Sequence, residues 1–179
     1  MKLWMGAAIA LSLAGAANAQ ATHDSRAPVD MAGDESEVIT SLCKTIWRGN
    51  VEVLQDTTRL RAAQVTVYNK HKPGTQAGGN NSCGEVDHME ADGDVFFVTP
   101  TQTVRGDHAV YNYDTDTIVV TGDVVALQGK DVARGERMTI KVATNDVRME
   151  SGVKSRGKPG RVRAVLYPND DNKTASAKP

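Results

Sequence analysis

Residues 121–140 read TGDVVALQGKDVARGERMTI. A glycine, a small polar residue and a valine open the run at Gly122-Asp123-Val124, and Arg134 follows twelve positions after the glycine. The same frame stands twice upstream, from Gly49 (GNVEVL) to Arg61 and from Gly93 (GDVFFV) to Arg105. The residue after each arginine is small: Ala62, Gly106 and Gly135. Four and six positions beyond the arginines come Val65 and Val67, Ala109 and Tyr111, Met138 and Ile140. Mostly polar residues alternate with them, which is the period-two pattern of a strand with one wetter face. Three copies of one hairpin predict an all-β chain, because a lone hairpin cannot bury its own apolar face and must stack on its neighbours.

Counting outward from each glycine gives one parity. Trp47, Ala91 and Val120 stand two before it; Val51, Val95 and Val124 two after; Val53, Phe97 and Ala126 four after. The opposite parity is mixed: Arg48, Asp92, Thr121, Glu52, Phe96 and Val125. Two strands per repeat predict two sheets facing each other across an apolar interior. That interior is slender, rich in Val, Ala, Thr and Ile, with aromatics at 4% of the chain. A small-residue closed core and a pair of walls that leave a groove both satisfy the pattern.

Arg105-Gly106-Asp107 spells an adhesion tripeptide, but it occupies the repeat positions of Arg61-Ala62-Ala63 and Arg134-Gly135-Glu136. A tripeptide imposed by a structural repeat is read as architecture.

The first nineteen residues, MKLWMGAAIALSLAGAANA, carry one lysine, a short apolar run and an Ala17-Asn18-Ala19 cleavage pattern. That is the order of a secretory signal, with an uncleaved anchor as the alternative. Removing Lys2 leaves 20 basic side chains against 22 acidic ones, a balance that argues against nucleic-acid binding. Cys43 and Cys83 read first as one disulfide in an exported chain, since no Cys-x-x-Cys spacing supports a redox-active pair. Residues 20–37 and 169–179 are polar and poor in large apolar groups, so both are expected to lack order. KHKPGTQAGGNNSCG (70–84) reads as a long loop for the same reason. The stretch between, 38–168, is read as one domain.

Little in the chain points to bond-making chemistry. His23, His71, His88 and His108 lack metal-ligand spacing, and no nucleophile elbow or phosphate-cradling loop occurs. The acidic run from Glu85 to Asp94 is read as the wet face of a hairpin ahead of a cation site. Lys154, Arg156, Lys158, Arg161 and Arg163 form a basic cluster, either a solvated tip or a contact for anionic groups.

Taken together, the signal, GNVEVLQDTTRLRAAQVTVY (49–68), TGDVVALQGKDVARGERMTI (121–140) and GRVRAVLYP (160–168) resemble the LptA/OstA family of periplasmic lipopolysaccharide-transport proteins. The resemblance implies an open, V-shaped β-jellyroll whose apolar inside receives the acyl chains of lipid A, with no enzyme activity and no cofactor or metal. It also implies a periplasmic location and edge-to-edge joining with related β-jellyroll domains of inner- and outer-membrane transport proteins, or head to tail with further copies. Carried over by repeat position, the lipid-facing residues are Trp47, Val51, Val53, Val65, Val67, Phe97, Tyr111, Tyr113, Val120, Val124, Met138 and Ile140. The Cys43–Cys83 pair departs from the family pattern and would tie the N-terminal strand to the long loop. A membrane-tethered dock of the same system and a carbohydrate-binding or hydrolytic β-sandwich are the rival readings.

Overall fold

The computed structural model describes residues 27–75, 78–79, 82–144, 146–154 and 158–168, and the signal and C-terminal tail lie outside these. Twelve strands follow in order: β1 (Val29–Ala32), β2 (Glu35–Ile39), β3 (Lys44–Gln55), β4 (Thr58–His71), β5 (Cys83–Val98), β6 (Thr103–Asn112), β7 (Thr117–Gln128), β8 (Asp131–Lys141), β9 (Asp146–Glu150), β10 (Val153–Lys154), β11 (Lys158–Pro159) and β12 (Arg163–Val165). All but β10 and β11 belong to one antiparallel sheet in the order β1-β3-β4-β5-β6-β7-β8-β12, with β2 also on β3 and β9 also on β8. The sheet does not close: β1 and β2 form one edge, β9 and β12 the other.

The expectation of two separate sheets is corrected here. The six central strands are long and cross a crease, so one folded sheet supplies both walls. The crease falls on the repeated Gly-Asn/Asp dipeptides. Gly49 and Asn50 (φ +74° and +47°), Gly93 and Asp94 (+78° and +46°) and Gly122 and Asp123 (+78° and +26°) all sit in the left-handed region. Glycine adopts it freely, and Asn and Asp tolerate it better than other side chains do. Register slips there in the ladders, after Arg48, Asp92 and Thr121, so each crease is a row of bulges that bends the strands. Two residues are spanned at each slip on the glycine-bearing strand, which keeps side-chain parity the same on both sides.

That parity builds the core. Val51, Val95, Val120, Val124 and Met138 are at most 1% exposed, and they lie close to the crease. Arg48, Thr121, Glu52 and Val125, of the opposite parity, are only half-buried, and Phe96 is exposed. The repeat arginines fall in one row across this outer face: Glu52, Arg61, Phe96, Arg105, Val125, Arg134 and Arg163 are successive cross-strand partners. Arg61 pairs with Glu52 at 3.1 Å and Arg105 with Asp94 at 2.9 Å, exposed pairs whose attraction solvent largely screens.

The expected boundary at residue 38 is also corrected. Residues 29–32 and 35–37 are strand, because β1 pairs with Glu52–Gln55 and β2 with Lys44–Arg48. A polar segment gains order there by completing the backbone hydrogen bonds of β3, which composition does not register. Strands likewise extend into the expected loop at both ends, leaving 72–82 between β4 and β5. Cys43 and Cys83 form a disulfide with Cα atoms 5.3 Å apart. It joins the short 3-10 turn Thr40–Leu42 before β3 to the first residue of β5.

Candidate functional site

Away from the crease the two walls part. Between them lies a cavity of about 370 Å³, within the range of about 300–1,000 Å³ usual for small-molecule sites. From the wall that ends in the β3–β4, β5–β6 and β7–β8 turns it is lined by Val53, Leu60 and Phe97. Val65, Met89, Ala109, Tyr111, Ile118, Ile140, Val142 and Val147 line it from the other. Those turns contribute uncharged residues to the lining, Gln55, Thr57, Thr58, Thr99, Thr101, Gln102 and Gln128, with Pro100 among them, while Asp56 and Lys130 of the same turns do not line the cavity. None of the lining residues is Asp, Glu, Lys, Arg or His.

The lip is held by local bonds. Gln55 is 8% exposed and its Nε2 donates to the Ala27 carbonyl at 3.1 Å. Thr99 Oγ1 accepts from the Gln102 amide at 3.1 Å, and the Thr99 amide donates to the Gln102 carbonyl at 2.9 Å, closing the β5–β6 turn. On the facing lip the Tyr111 hydroxyl donates to Asp116 Oδ1 at 2.7 Å, and the Tyr111 and Tyr113 rings lie 4.4 Å apart. Burial, reinforced by that hydrogen bond and the Asp116 charge, raises the Tyr111 hydroxyl well above the ordinary tyrosine value. Burial also raises Tyr113, whose hydroxyl lies 3.6 Å from the Met89 sulfur.

Of the twelve residues expected to face lipid, five line this cavity: Val53, Val65, Phe97, Tyr111 and Ile140. Val51, Val120, Val124 and Met138 are enclosed in the packed crease. Trp47 and Tyr113 pack, half-buried, against the core, and Val67 is half-buried outside that cluster. Sequence reasoning missed Ile118 and Val142, which extend the parity of Val120 and Ile140 by one step. Leu60, Met89 and Val147 emerge once register is known, opposite Val53, Tyr111 and Ile140. The uncharged lining at the mouth had no signal in the sequence, since its residues come from three separate turns.

The polar clusters lie elsewhere. His108 pairs with Asp92 at 2.7 Å and His88 with Asp87 at 2.7 Å, while Tyr68 stacks on His88 and donates to Glu90. Glu90, Asp92 and Asp94 of the acidic run are thus engaged from β4 and β6, and Asp87 by His88 of β5 itself. Among the described residues no group of three or more His, Cys, Asp or Glu is placed to hold a metal ion. Of the basic cluster, Arg163 stands directly opposite Arg134, and the side chains of Lys154, Arg156 and Lys158 lie outside the description.

The fold and sequence both have relatives. The structure is similar to a crystal structure of LptH, described as the LptA-homologous periplasmic component of the lipopolysaccharide transport device of Pseudomonas aeruginosa. The TM-score is 0.63 at 16% identity, over 79% of this chain and 96% of that one, which establishes the open β-jellyroll. An uncharacterised protein of Rhizobium meliloti (strain 1021) is 30% identical over 142 residues, covering 79% of this chain and 72% of its own. Residues 31–146 match the family described as the LptA/(LptD N-terminal domain) LPS transport proteins. With nearly two-thirds of its length in that match, the chain belongs to the LptA/LptD N-terminal-domain family.

Proposed function

We propose that this chain is a periplasmic carrier that holds acyl chains of lipopolysaccharide between its two walls and bridges the inner and outer membranes. The observation that carries the reading is the uncharged, largely apolar cavity between two walls of a sheet that never closes. Each methylene kept from water is worth about 0.8 kcal/mol, so a long acyl tail crosses an aqueous space only under such cover. The family is one of transport proteins, and the chain is not an enzyme.

Both sheet edges fit end-to-end joining with related domains of membrane-bound transport proteins or with further copies. One edge exposes Val38 and Leu42, the other Val165, Leu166 and Tyr167. Edge strands also present unpaired N–H and C=O groups that a partner strand satisfies. The hydrolytic rival requires two carboxylates facing a cleft, and the cavity lining carries none. The tethered rival turns on residues 1–19, which lie outside the described residues.

A photo-crosslinking amino acid at position 97 or 111 in cells is expected to capture labelled glycolipid. The same probe at position 124, inside the packed crease, is expected to capture none. Protein-only adducts from both cavity positions would overturn the carrier reading.

A further inference from the structure

A second cavity, of about 210 Å³, opens at the end of the outer arginine row and shares no residue with the one between the walls. It gathers Arg134 of β8, Arg161 and Arg163 at β12, Ser151 after β9, and the carboxylates Asp123 and Glu136, with glycines completing the lining. Arg134 and Arg163 stand directly opposite each other in the β8–β12 ladder, where like charges repel. Among the described residues Arg134 has Asp123 alone, at 3.8 Å and beyond hydrogen-bond reach. Arg161 and Arg163 have no ion pair or hydrogen bond among them. Glu150, beside Ser151, is taken by Arg148 at 3.0 Å and Arg137 at 3.7 Å. Residues 151–167 carry five basic side chains, Lys154, Arg156, Lys158, Arg161 and Arg163, and no Asp or Glu, so the surrounding charge favours an anion. The nearest acids in sequence, Asp170 and Asp171, lie outside the described residues.

We propose that this outer cavity binds a phosphate ester, held by Arg134, Arg161 and Arg163 with the Ser151 hydroxyl as a further donor. A phosphate offers three acceptor oxygens and about two negative charges, so it engages several guanidiniums at once. A carboxylate offers two oxygens in one plane and relieves less of the repulsion between Arg134 and Arg163. Asp123 and Glu136 oppose the same anion and temper its affinity. The ester comes from a soluble molecule or from a lipid headgroup at a membrane surface. The site lies on the outer face and does not depend on the carrier reading.

The test titrates the mature chain with glycerol 3-phosphate at neutral pH, sodium chloride holding the ionic strength constant, and follows the backbone amide resonances. Those of residues 134–136 and 160–163 are expected to shift and saturate. Arg163→Gln is expected to weaken the affinity by about fivefold or more. Asp123→Asn, which keeps a side chain that tolerates the left-handed backbone there, is expected to strengthen it by about twofold. Arg59→Gln removes the same charge from the same outer face but outside the cavity, and is expected to change nothing. A second arm floats the protein with phosphatidylcholine vesicles made with and without phosphatidic acid. Capture by the phosphatidic acid vesicles, lost in Arg163→Gln, assigns the site to a headgroup. Saturable glycerol 3-phosphate binding without vesicle capture assigns it to a soluble ester. Neither response, or Arg163→Gln and Arg59→Gln behaving alike, would reduce the effect to screening of surface charge and overturn the site, leaving the carrier untouched. The dispersion of each variant's spectrum reports whether the fold is retained.

Discussion

Gly106 shows why a tripeptide with an adhesive spelling is structural. A side chain there would run into the Val120 methyl and come within 3.0 Å of the Thr121 carbonyl oxygen. Gly106→Ala is therefore expected to destabilise the chain by about 1–3 kcal/mol, the usual cost of overpacking. Arg105→Ala, which breaks an exposed and solvent-screened pair with Asp94, should leave the urea midpoint nearly unchanged. Urea unfolding of the two variants separates them. Tyr111 makes a second prediction at this scale. Its hydroxyl is raised in the folded state, so above the ordinary value of about 10 the unfolded chain loses that proton first. Stability is then unaffected below pH 10 and falls as pH rises beyond it, by up to about 1.4 kcal/mol per unit from this group. Tyr111→Phe should flatten that alkaline fall relative to the unaltered protein, measured as the urea midpoint between pH 9 and 11.

At the scale of elements, β3, β5 and β7 each bend at a glycine followed by Asn or Asp, and the repeat is legible because each strand needs the same bend. The ladder of arginines follows from the same spacing, since residues at one repeat position become cross-strand neighbours. What the repeat does not encode is how the first strands attach. β1 and β2 pair with different halves of β3, and Gly33 lies between them, near Trp47 and the Arg48 carbonyl. The disulfide secures the adjoining 3-10 turn against β5, across 40 residues of sequence. Replacing both cysteines by alanine is expected to lower stability by about 4 kcal/mol on loop-closure entropy. Dithiothreitol should produce a comparable shift in the unaltered protein's urea midpoint and none in the double variant.

For the whole molecule, the open sheet leaves two different edges, so the proposed joining of copies would run head to tail. Val165→Asp on β12 and Val38→Asp on β2 each spoil one edge and leave the core untouched, so each should cost less than about 0.5 kcal/mol in stability. Sedimentation of either variant alone is expected to show monomer. A mixture retains one good edge on each variant, and is expected to form dimers that do not grow further. Higher assemblies from either single variant would show that these edges are not where the copies meet.

The sequence by itself determined the strands of the repeat and their buried parity, because these depend on side-chain alternation; that the repeated Gly-Asn and Gly-Asp dipeptides are creases emerged only in the fold. Tertiary structure alone decided that the walls are one folded sheet, where they touch and where they part. Val124 and Val53 have the same parity and differ by one wall's geometry, so one is sealed in the crease and the other faces the cavity. The uncharged lining at the mouth was likewise decided in space, where residues from the turns at 55–58, 99–102 and 128 come to one opening. Alternation says which way a side chain points; the distance to the wall opposite is set by the bend, the register and the packing of all six long strands together.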